Sequence, residues 1–505
     1  MQPPAVSDTQ SEIDRAYVLL GTGQLAEAED ACRRALARTQ ERDAGAWIAL
    51  GVVLRAGQRA REAEAAYGRA LRLDPSNRIA LHNLGALLSQ EERAEEALDA
   101  LERARVLGLN ASELYINLGR TLVQLYRPED AERAYEQAVA LQPQSPQAQQ
   151  SLAALRHMRG DTGFARDMER AIAATPHDPR LQLAYADLLR RSGDLAASEA
   201  VLRRQMAAAG PQQAAFRSSL ATVLREAGRP GEAEQILLEL AAAHPLDAVL
   251  MENLVATQLT LGRTGEALPF ILNQRQRAPL DQRWITYEAN AIRQLDPGRY
   301  HELFDYERLV RAYDIEAPAP WRSVAELNAA LVEVLQTRHL FATHPLDQSL
   351  RNGTQTARTL LTDRDETIQA LLNAFVPVIA EYRSAIGFDA NHPLTSRNRG
   401  DVRFRGCWSV ALHRGGFHVN HIHPQGWISS AYYVSVPGET ADPIARSGWI
   451  KFGEPRWPSP DAAAEHFIQP KAGRLVLFPS YLWHGTVALQ GPETRLSVAF
   501  DAVPS

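Results

Sequence analysis

The stretch that decides most of the fold is residues 84–117, LGALLSQEERAEEALDALERARVLGLNASELYIN, because it is one copy of a 34-residue repeat. Its opening Leu-Gly pair recurs one period earlier at Leu50 and Gly51, and one period later at Leu118 and Gly119. The alanines that keep the same step are Ala63, Ala97, Ala131, Ala70, Ala104 and Ala138. Small residues at a fixed period indicate pairs of helices that pack closely and stack on their neighbours.

Aromatic and proline positions complete this pattern. Tyr67 and Tyr135 lie two periods apart, and Pro75 and Pro143 show the same double step. A 34-residue period with small residues where two helices touch, an aromatic on the second helix and a proline after it is the tetratricopeptide-repeat pattern. Looser copies lie on both sides, so we expect about eight helix pairs over roughly residues 10–285, stacked as a right-handed α-solenoid. The least regular copy is expected between Ser145 and Pro179.

The repeats are also the part of the chain that is expected to bind a partner. Their alanine, leucine and glycine positions are explained by packing, whereas polar residues on the concave face of such arrays accept an extended peptide or a helix. Asn83, Asn117 and Asn253 are candidates for contact with a peptide backbone, with helix capping or plain solvation as the alternative. We therefore expect a peptide or protein partner in the repeat groove, and a homo-oligomer is also possible.

Beyond the repeats, the pattern changes from helix to strand. Pro318 and Pro320 favour a stiff linker, and from about Asp401 onward short alternating runs separated by Gly and Pro are typical of a small sandwich or barrel. Helices first and strands second predict two separate architectures. The predicted domains are residues 10–285 as the tetratricopeptide-repeat α-solenoid, 286–320 as a helical and proline-rich linker, and 321–505 as the β domain with its bracing helices.

Two bracing helices are predicted ahead of the strands. Ser323 and Glu326 form a capping box before an apolar-periodic segment. Apolar residues at helical spacing between Ile368 and Tyr382 predict a second amphipathic helix. Both helices are expected to cover the outer face of the β domain.

Residues 411–427, ALHRGGFHVNHIHPQGW, hold four of the fourteen histidines of the chain. His421 and His423 are two residues apart in an alternating segment, so on a strand they would share one face. A single histidine in a strand is more often a hydrogen-bonded core residue than a ligand. However, neutral imidazole is the commonest protein ligand for iron, zinc or copper, so these two residues with the distant His484 make a candidate metal site.

A second candidate group lies at the C-terminal end of the chain. In the run RLSVAF, the side chains of Arg495, Ser497 and Ala499 face one way and the apolar ones face the other. An arginine that points into a closed sheet needs an anion, since an unpaired buried charge costs several kcal/mol. We expect this anion to be a carboxylate of a small co-substrate.

The segments HIHPQGWISSAYYVSVP, KAGRLVLFPSYLWHGT and RLS together resemble the Fe(II)/2-oxoglutarate dioxygenase superfamily, and within it oxygenases of bacteria that often carry tetratricopeptide repeats. The resemblance extends from about Trp321 to the C-terminal end and implies a double-stranded β-helix, which is a jelly-roll or cupin-like fold. It implies that His421 and His484 hold Fe(II). It also implies that Arg495 and Ser497 bind the far carboxylate of 2-oxoglutarate with help from Tyr433.

The chain departs from the family pattern at one ligand. The position that holds a carboxylate in the family is His423 here, so either iron sits in a three-histidine site or only two histidines bind and water takes the third position. His418 is an alternative to His421 as the upstream ligand. His413 and Asn420 are candidates for residues that surround the ligands.

The resemblance implies an enzyme with Fe(II) as its metal and with 2-oxoglutarate and dioxygen as co-substrates. The pairing with repeats indicates hydroxylation of a side chain on a peptide or protein. One alternative is an oxygenase that acts on a small metabolite and uses its repeats for assembly. Another is a non-catalytic repeat adaptor whose barrel is degenerate and has lost iron.

Composition excludes several other classes of protein. A net charge of −6 and a pI near 6.2 give no electrostatic signature for nucleic acid or for an anionic membrane. The two cysteines, Cys32 and Cys407, fall in different predicted domains, which argues against a disulfide framework and fits a reducing compartment. The sequence has neither an apolar run long enough to span a membrane nor an export signal, so we expect a cytoplasmic protein.

Overall fold

The computed structural model describes residues 5–206, 213–244, 247–459 and 462–505. A long series of helices precedes two antiparallel β-sheets, so the predicted fold class of an α-solenoid followed by a jelly-roll-like β domain is confirmed. The chain divides into two compact units, Met1–Leu152 and Ala153–Ser505.

The first unit is built from paired helices of thirteen to seventeen residues. Its helices are α1 (Ala5–Gly21), α2 (Leu25–Arg38), α3 (Ala44–Ala56), α4 (Ala60–Leu73), α5 (Arg78–Gln90), α6 (Ala94–Val106), α7 (Ser112–Gln124) and α8 (Pro128–Leu141), and the next helix is α9 (Pro146–Met158).

The repeated glycines explain how closely the two helices of a pair approach each other. A Cβ atom at Gly119 in α7 would overlap the ring of Tyr135 in α8, and a Cβ at Gly85 in α5 would lie 2.6 Å from Cγ of Leu101 in α6. No methyl group fits at such a separation, so the small residue at this repeat position is required by the large one sixteen residues later.

The second unit continues the helix pairs and then adds the helices of the β domain. The predicted irregular copy is confirmed, because α10 has only nine residues. The helices are α10 (Arg166–Ala174), α11 (Pro179–Ser192), α12 (Leu195–Met206), α13 (Gln213–Glu226), α14 (Pro230–Ala243), α15 (Ala248–Thr260), α16 (Thr264–Arg277), α17 (Gln282–Leu295), α18 (Pro297–Leu303), α19 (Tyr306–Leu309), α20 (Val324–Gln336) and α21 (Glu366–Ile386).

The strands of the second unit form a six-stranded sheet with the order β1-β7-β4-β9-β3-β2 and a three-stranded sheet with the order β6-β5-β8. All pairings between neighbouring strands are antiparallel. The strands are β1 (Arg311–Asp314), β2 (Leu350–Gln355), β3 (Val402–His418), β4 (Ile428–Ser435), β5 (Ile450–Phe452), β6 (His466–Ile468), β7 (Arg474–Pro479), β8 (His484–Thr486) and β9 (Arg495–Pro504).

Both predicted bracing helices are present. At the start of α20, the backbone N–H of Glu326 donates to Oγ of Ser323 at 3.2 Å, and Oε2 of Glu326 accepts from the backbone N–H of Arg322 at 2.8 Å. These bonds satisfy N–H groups that have no partner within the helix. The predicted apolar face of α21 is buried in the core of the β domain, and its residues are Ile368, Leu371, Leu372, Phe375, Ile379 and Tyr382.

Residues 286–320, which the sequence predicts as a linker, contain α18, α19 and β1. β1 pairs with β7 at the edge of the larger sheet, with Ala312 opposite Val476. Tyr300 and Leu309 are buried in the same core as the strands. The predicted domain boundaries themselves stay predictions.

Two further features concern the cysteines and the lengths of the helices. Cys32 and Cys407 are both free and buried. Within the described parts of the chain, no helix combines the length and the apolar character needed to cross a bilayer.

Candidate metal centre

The backbone joins two of the predicted ligands directly. His421 and His423 lie beyond the end of β3, which stops at His418. Beyond it, the N–H of His421 donates to the carbonyl of His484 at 2.9 Å, and the N–H of His484 donates to the carbonyl of His421 at 3.0 Å. The prediction that His421 and His423 share a strand face is therefore wrong about the strand, because the chain leaves the large sheet to pair with β8.

The three candidate ligands converge all the same. The ring centroids of His421 and His484 are 4.2 Å apart, those of His421 and His423 are 5.1 Å apart, and those of His423 and His484 are 5.0 Å apart. One ligand nitrogen from each residue lies within 4.8 Å of the other two. Among the described residues, these three form the one group of His, Cys, Asp and Glu side chains with the spacing of a metal site.

Hydrogen bonds on the far side of each ring fix which nitrogen faces the centre. Nδ1 of His421 lies 2.9 Å from the carbonyl of Val419, and Nδ1 of His484 lies 2.9 Å from the carbonyl of Leu482. A carbonyl only accepts, so both Nδ1 atoms carry the proton and both Nε2 atoms keep a lone pair. The two rings are therefore in the tautomer that a metal ion requires.

His423 is oriented by a carboxylate that sequence reasoning missed. Its Nδ1 lies 2.6 Å from Oδ1 of Asp501, and the same oxygen accepts from Oγ of Ser429 at 2.6 Å. Asp501 is in β9, six residues after Arg495, so the alternation that placed Arg495 on the inner face also places Asp501 there. Extending the period of two along the same strand would have found it.

The lone pairs of His421 and His423 meet inside the site. Their Nε2 atoms are 3.2 Å apart. With Nδ1 as the protonated nitrogen on both rings, this contact is favourable only when a proton or a metal ion lies between the two atoms. Two cis nitrogen ligands at about 2.1 Å from one ion are separated by about 3 Å, so the spacing fits shared coordination.

Burial keeps the rings of His421 and His484 neutral. It lowers the pKa of His421 to about 3, with the charge of His423 adding to the effect, and it lowers the pKa of His484 well below the usual value. Burial alone would raise the pKa of Asp501, but the charge and hydrogen bond of His423 and the bond from Ser429 outweigh it, so that pKa is lowered. The site therefore combines two neutral imidazoles, those of His421 and His484, with one ionised carboxylate, that of Asp501.

The predicted co-substrate anchor is buried and incompletely bonded. Arg495 is 3% exposed, its Nη1 donates to the carbonyl of Gly448 at 2.6 Å, and its Nε has no hydrogen-bond partner. Its guanidinium carbon lies 5.5 Å from the ring centre of Tyr433, whose buried hydroxyl also lacks a partner. Ser497, opposite Tyr433 in the sheet, makes only a long bond of 3.4 Å to the carbonyl of Val410.

Of the other two histidines of the window, His418 lines the same cavity and His413 does not. Oγ of Ser349 lies 2.9 Å from Nδ1 of His418 and 3.2 Å from Nε2 of His421, and the rings of His418 and His421 stack with their centroids 5.8 Å apart. His413 is exposed and contacts Thr494. Asn420 donates to the carbonyl of Pro455. Neither His413 nor Asn420 is among the described residues that line the cavity at the centre.

This cavity has a volume of about 750 Å³ and brings the two candidate groups together, because the three histidines and Arg495, Ser497 and Tyr433 all line it. Residues of the repeat helices line it too, namely Arg190, Arg191, Gly193 and Glu226 at the C-terminal ends of α11 and α13. Sequence reasoning did not anticipate this wall, since its helices come far earlier in the chain than the histidines.

Comparison with known proteins gives solved structures and family models but no curated protein that matches the chain. A tetratricopeptide repeat protein from Parabacteroides merdae ATCC 43184 is 21% identical, with 50% of this chain and 99% of that one covered and a TM-score of 0.37. PilF of Pseudomonas aeruginosa is 22% identical, with 50% and 98% covered and a TM-score of 0.30. A thermophilic repeat protein of Thermus thermophilus is 22% identical, with 36% and 98% covered and a TM-score of 0.32.

Family models cover both parts of the chain. Models of the tetratricopeptide repeat match residues 10–34, 49–109, 116–179 and 162–296. A family described as "Putative 2OG-Fe(II) oxygenase" matches residues 406–501, which contain all three histidines and Arg495. The chain thus contains tetratricopeptide repeats and, near its C-terminal end, a putative 2OG-Fe(II) oxygenase domain.

Proposed function

We propose that the protein is an Fe(II)- and 2-oxoglutarate-dependent dioxygenase that hydroxylates a side chain of a peptide or protein. The observation that carries the proposal is the convergence of three histidines, two of them with Nε2 atoms 3.2 Å apart, in the cavity that also holds the incompletely bonded Arg495. The family model over residues 406–501 supports the same class of chemistry.

In this proposal His421, His423 and His484 are the residues that would hold the metal. Asp501 does not bind it directly but accepts the Nδ1 proton of His423, which fixes the ring and makes Nε2 a better donor. In the family a carboxylate binds the metal directly. Here the carboxylate of Asp501 stays at the site but contacts the proposed ligand His423 instead of the metal. With the metal, 2-oxoglutarate and dioxygen bound, the site supplies an oxidant that hydroxylates a C–H bond, with succinate and carbon dioxide as the other products.

Arg495 and Tyr433 are the residues that would bind the far carboxylate of 2-oxoglutarate. The Nε–H group of Arg495 and the hydroxyl of Tyr433 are buried donors without a partner, and leaving each unbonded costs about 1–3 kcal/mol. A carboxylate accepts from both and also neutralises the buried guanidinium. Ser497 faces the same cavity and adds a third donor.

The cavity wall beside the histidines includes apolar and aromatic side chains. Phe478, which is 1% exposed, has its ring centre 4.7 Å from that of His484, and Trp408 lies 5.7 Å from His423. Ile450 and Val410 line the same space and are buried. An apolar surround of this kind protects a reactive centre from side reactions with solvent.

The residues that form the cavity wall support a polypeptide substrate. The wall includes the ends of α11 and α13, so a residue held in the cavity is within reach of the repeat helices. Tetratricopeptide repeats generally bind peptides and proteins, and an extended segment that lies on the helices would place one side chain beside the histidines. Repeats that served only for assembly would have no need to form part of this wall.

The proposal is tested by metal binding and by product formation in the purified full chain. Calorimetry with Mn(II) under anaerobic conditions should give one site per chain, with 2-oxoglutarate binding tightly only after the metal. The Fe(II)-loaded protein should then release succinate slowly even without a substrate. A chain that binds no metal and forms no succinate under any condition is an adaptor. One that turns over a small metabolite but no peptide from a proteome-derived library contradicts the polypeptide substrate.

A further inference from the structure

The cavity is lined by more positively charged side chains than are needed to bind the carboxylates of 2-oxoglutarate. Besides Arg495, five arginines line it, and we call them the cavity arginines; they are Arg190, Arg191, Arg351, Arg405 and Arg456. Apart from Asp501, which is bonded to His423, only two carboxylates are found among the described lining residues, Glu226 and Asp347. The lining therefore has an excess of positive charge, and neither the proposed metal site nor the binding of 2-oxoglutarate accounts for it.

One carboxylate is shared between two of these arginines. Oε1 of Glu226 lies 2.9 Å from Nη1 of Arg190 and 3.8 Å from Nη2 of Arg456. Arg190 has a second partner in Asp187 at 2.9 Å, which is also the partner of Arg191. The longer separation leaves Arg456 only weakly neutralised, and its side chain is 52% exposed.

Arg351 has hydrogen bonds but no ion pair. Its Nη1 donates to the carbonyls of Gln348 and Leu350 at 2.8 and 2.7 Å, which fixes the side chain in place. No carboxylate in the described residues lies within ion-pair distance of it. Burial lowers its pKa, the positive charge of Arg456 lowers it further, and the negative charge of Glu226 acts in the opposite direction without reversing the shift. An orientated guanidinium with unused N–H groups is a prepared site for an oxyanion.

The arginines come from four separate parts of the second unit. Arg190 and Arg191 lie in the last turn of α11, Arg351 is in β2, Arg405 is in β3, and Arg456 follows β5. Such a distribution fits several carboxylates spaced along an extended chain better than it fits a single compact phosphate. The interspersed Glu226 and Asp347 would also repel a doubly charged phosphate more than singly charged carboxylates.

We propose that the cavity arginines select an acidic peptide segment, so that the hydroxylated residue of the substrate is flanked by Asp or Glu. This inference rests on the proposed function, because it assigns the substrate class of the same site. A cavity with one sign of charge concentrates an oppositely charged ligand and raises its rate of association. The carboxylates of the peptide would supply an ion-pair partner for Arg351, which has none among the described residues, and a closer one for Arg456, whose partner Glu226 is 3.8 Å away.

The test is direct binding of labelled peptides to the full chain without metal. Three fluorescein-labelled peptides of equal length alternate Gly with Glu, with Gln or with phosphoserine, and their affinities are measured by fluorescence anisotropy. We expect the Glu peptide to bind, the Gln peptide to bind at least about tenfold more weakly, and added salt to weaken the Glu peptide. Equal binding of the Glu and Gln peptides overturns the inference, and so does binding of the phosphoserine peptide alone.

Charge-reversal variants test whether the Glu peptide binds in the cavity. Arg456→Glu and Arg405→Glu should each weaken the Glu peptide by about three- to tenfold, because they reverse a charge that lines the cavity. Arg414→Glu is the matched control, since Arg414 is exposed on β3, outside the cavity lining, and should leave the affinity unchanged. A loss with Arg414→Glu as large as with Arg456→Glu contradicts a site in the cavity.

The outcome of the peptide-binding experiment can be distinguished from the outcome of the test for dioxygenase activity. Binding is measured without iron and should be retained in His484→Ala, whose metal site is broken. Acidic-peptide binding in a chain that never forms succinate would refute the catalytic proposal and leave a binding site for acidic peptides. Succinate formation in a chain that ignores the Glu peptide would refute the selection of acidic substrates alone.

Discussion

Oδ1 of Asp501 lies 2.6 Å from Nδ1 of His423, so a carboxylate on β9 holds the imidazole of one of the three proposed metal ligands. Asp501→Asn removes the charge and presents an amide that can also turn its N–H₂ toward the ring. We expect the affinity for Mn(II) to fall by about 10- to 100-fold. Isothermal titration calorimetry measures it, with Asp401→Asn, an exposed aspartate in the same domain, as the control.

His423→Asp examines the third ligand more sharply. The shorter side chain would restore the family's ligand type but would also face the carboxylate of Asp501 without the imidazole between them. We expect this variant to bind metal more weakly than the parent, and the double variant His423→Asp with Asp501→Asn to recover part of the loss, since the like-charge repulsion is removed. Strictly additive effects in the calorimetric cycle would show that the two positions act independently.

His484→Ala should abolish metal-dependent succinate formation while the chain stays folded. The substitution removes a ring whose Nε2 faces the centre, but the backbone pairing of residue 484 with His421 does not need the side chain. The helical signal in circular dichroism should be unchanged, and Mn(II) should no longer bind with a defined stoichiometry. Retained succinate release would take this histidine out of the site.

Arg495→Lys should separate the co-substrate from the metal. A lysine is a point charge and loses both the fork and the bond to the carbonyl of Gly448. We expect 2-oxoglutarate to bind at least about tenfold more weakly to the Mn(II)-loaded protein, with the affinity for Mn(II) itself unchanged. An unaltered affinity for 2-oxoglutarate would contradict the role of Arg495 as its anchor.

Gly119→Ala should destabilise the first unit by about 1–3 kcal/mol, because the new methyl group would overlap the ring of Tyr135. Gly68→Ala is the matched control in α4. A Cβ there meets only Nη1 of Arg72 at 3.8 Å, so the better helix propensity of alanine should stabilise by about 0.5–1 kcal/mol. Urea denaturation measures the free energy of unfolding of both variants. A change of the same sign in the two variants would refute the close-packing role of Gly119.

The sequence predicted the fold where its signals are local. A 34-residue period predicts helix pairs because each copy repeats the same small-to-large contact, as at Gly119 and Tyr135. The capping pair Ser323 and Glu326 needs only four consecutive residues and is confirmed. Alternation placed Arg495 and Ser497 on the face that lines the cavity.

What the sequence could not predict depends on contacts between distant residues. The pairing of His421 with His484 joins positions far apart in the chain and is made by backbone groups, which carry no residue-specific signal. Arg190 reaches the cavity only because α11 packs near the β domain within the second unit. Asp501 is the exception, since the period of two in β9 already pointed to it.

The reciprocal N–H···O=C bonds between His421 and His484 have a consequence for how the protein acquires its ion. Because amide groups bring these two rings side by side, the protein can fold first and load the metal afterwards, with little further ordering of the chain. The ion would then add less to the folding free energy than it does in a zinc finger, and a chelator should strip the protein without unfolding it.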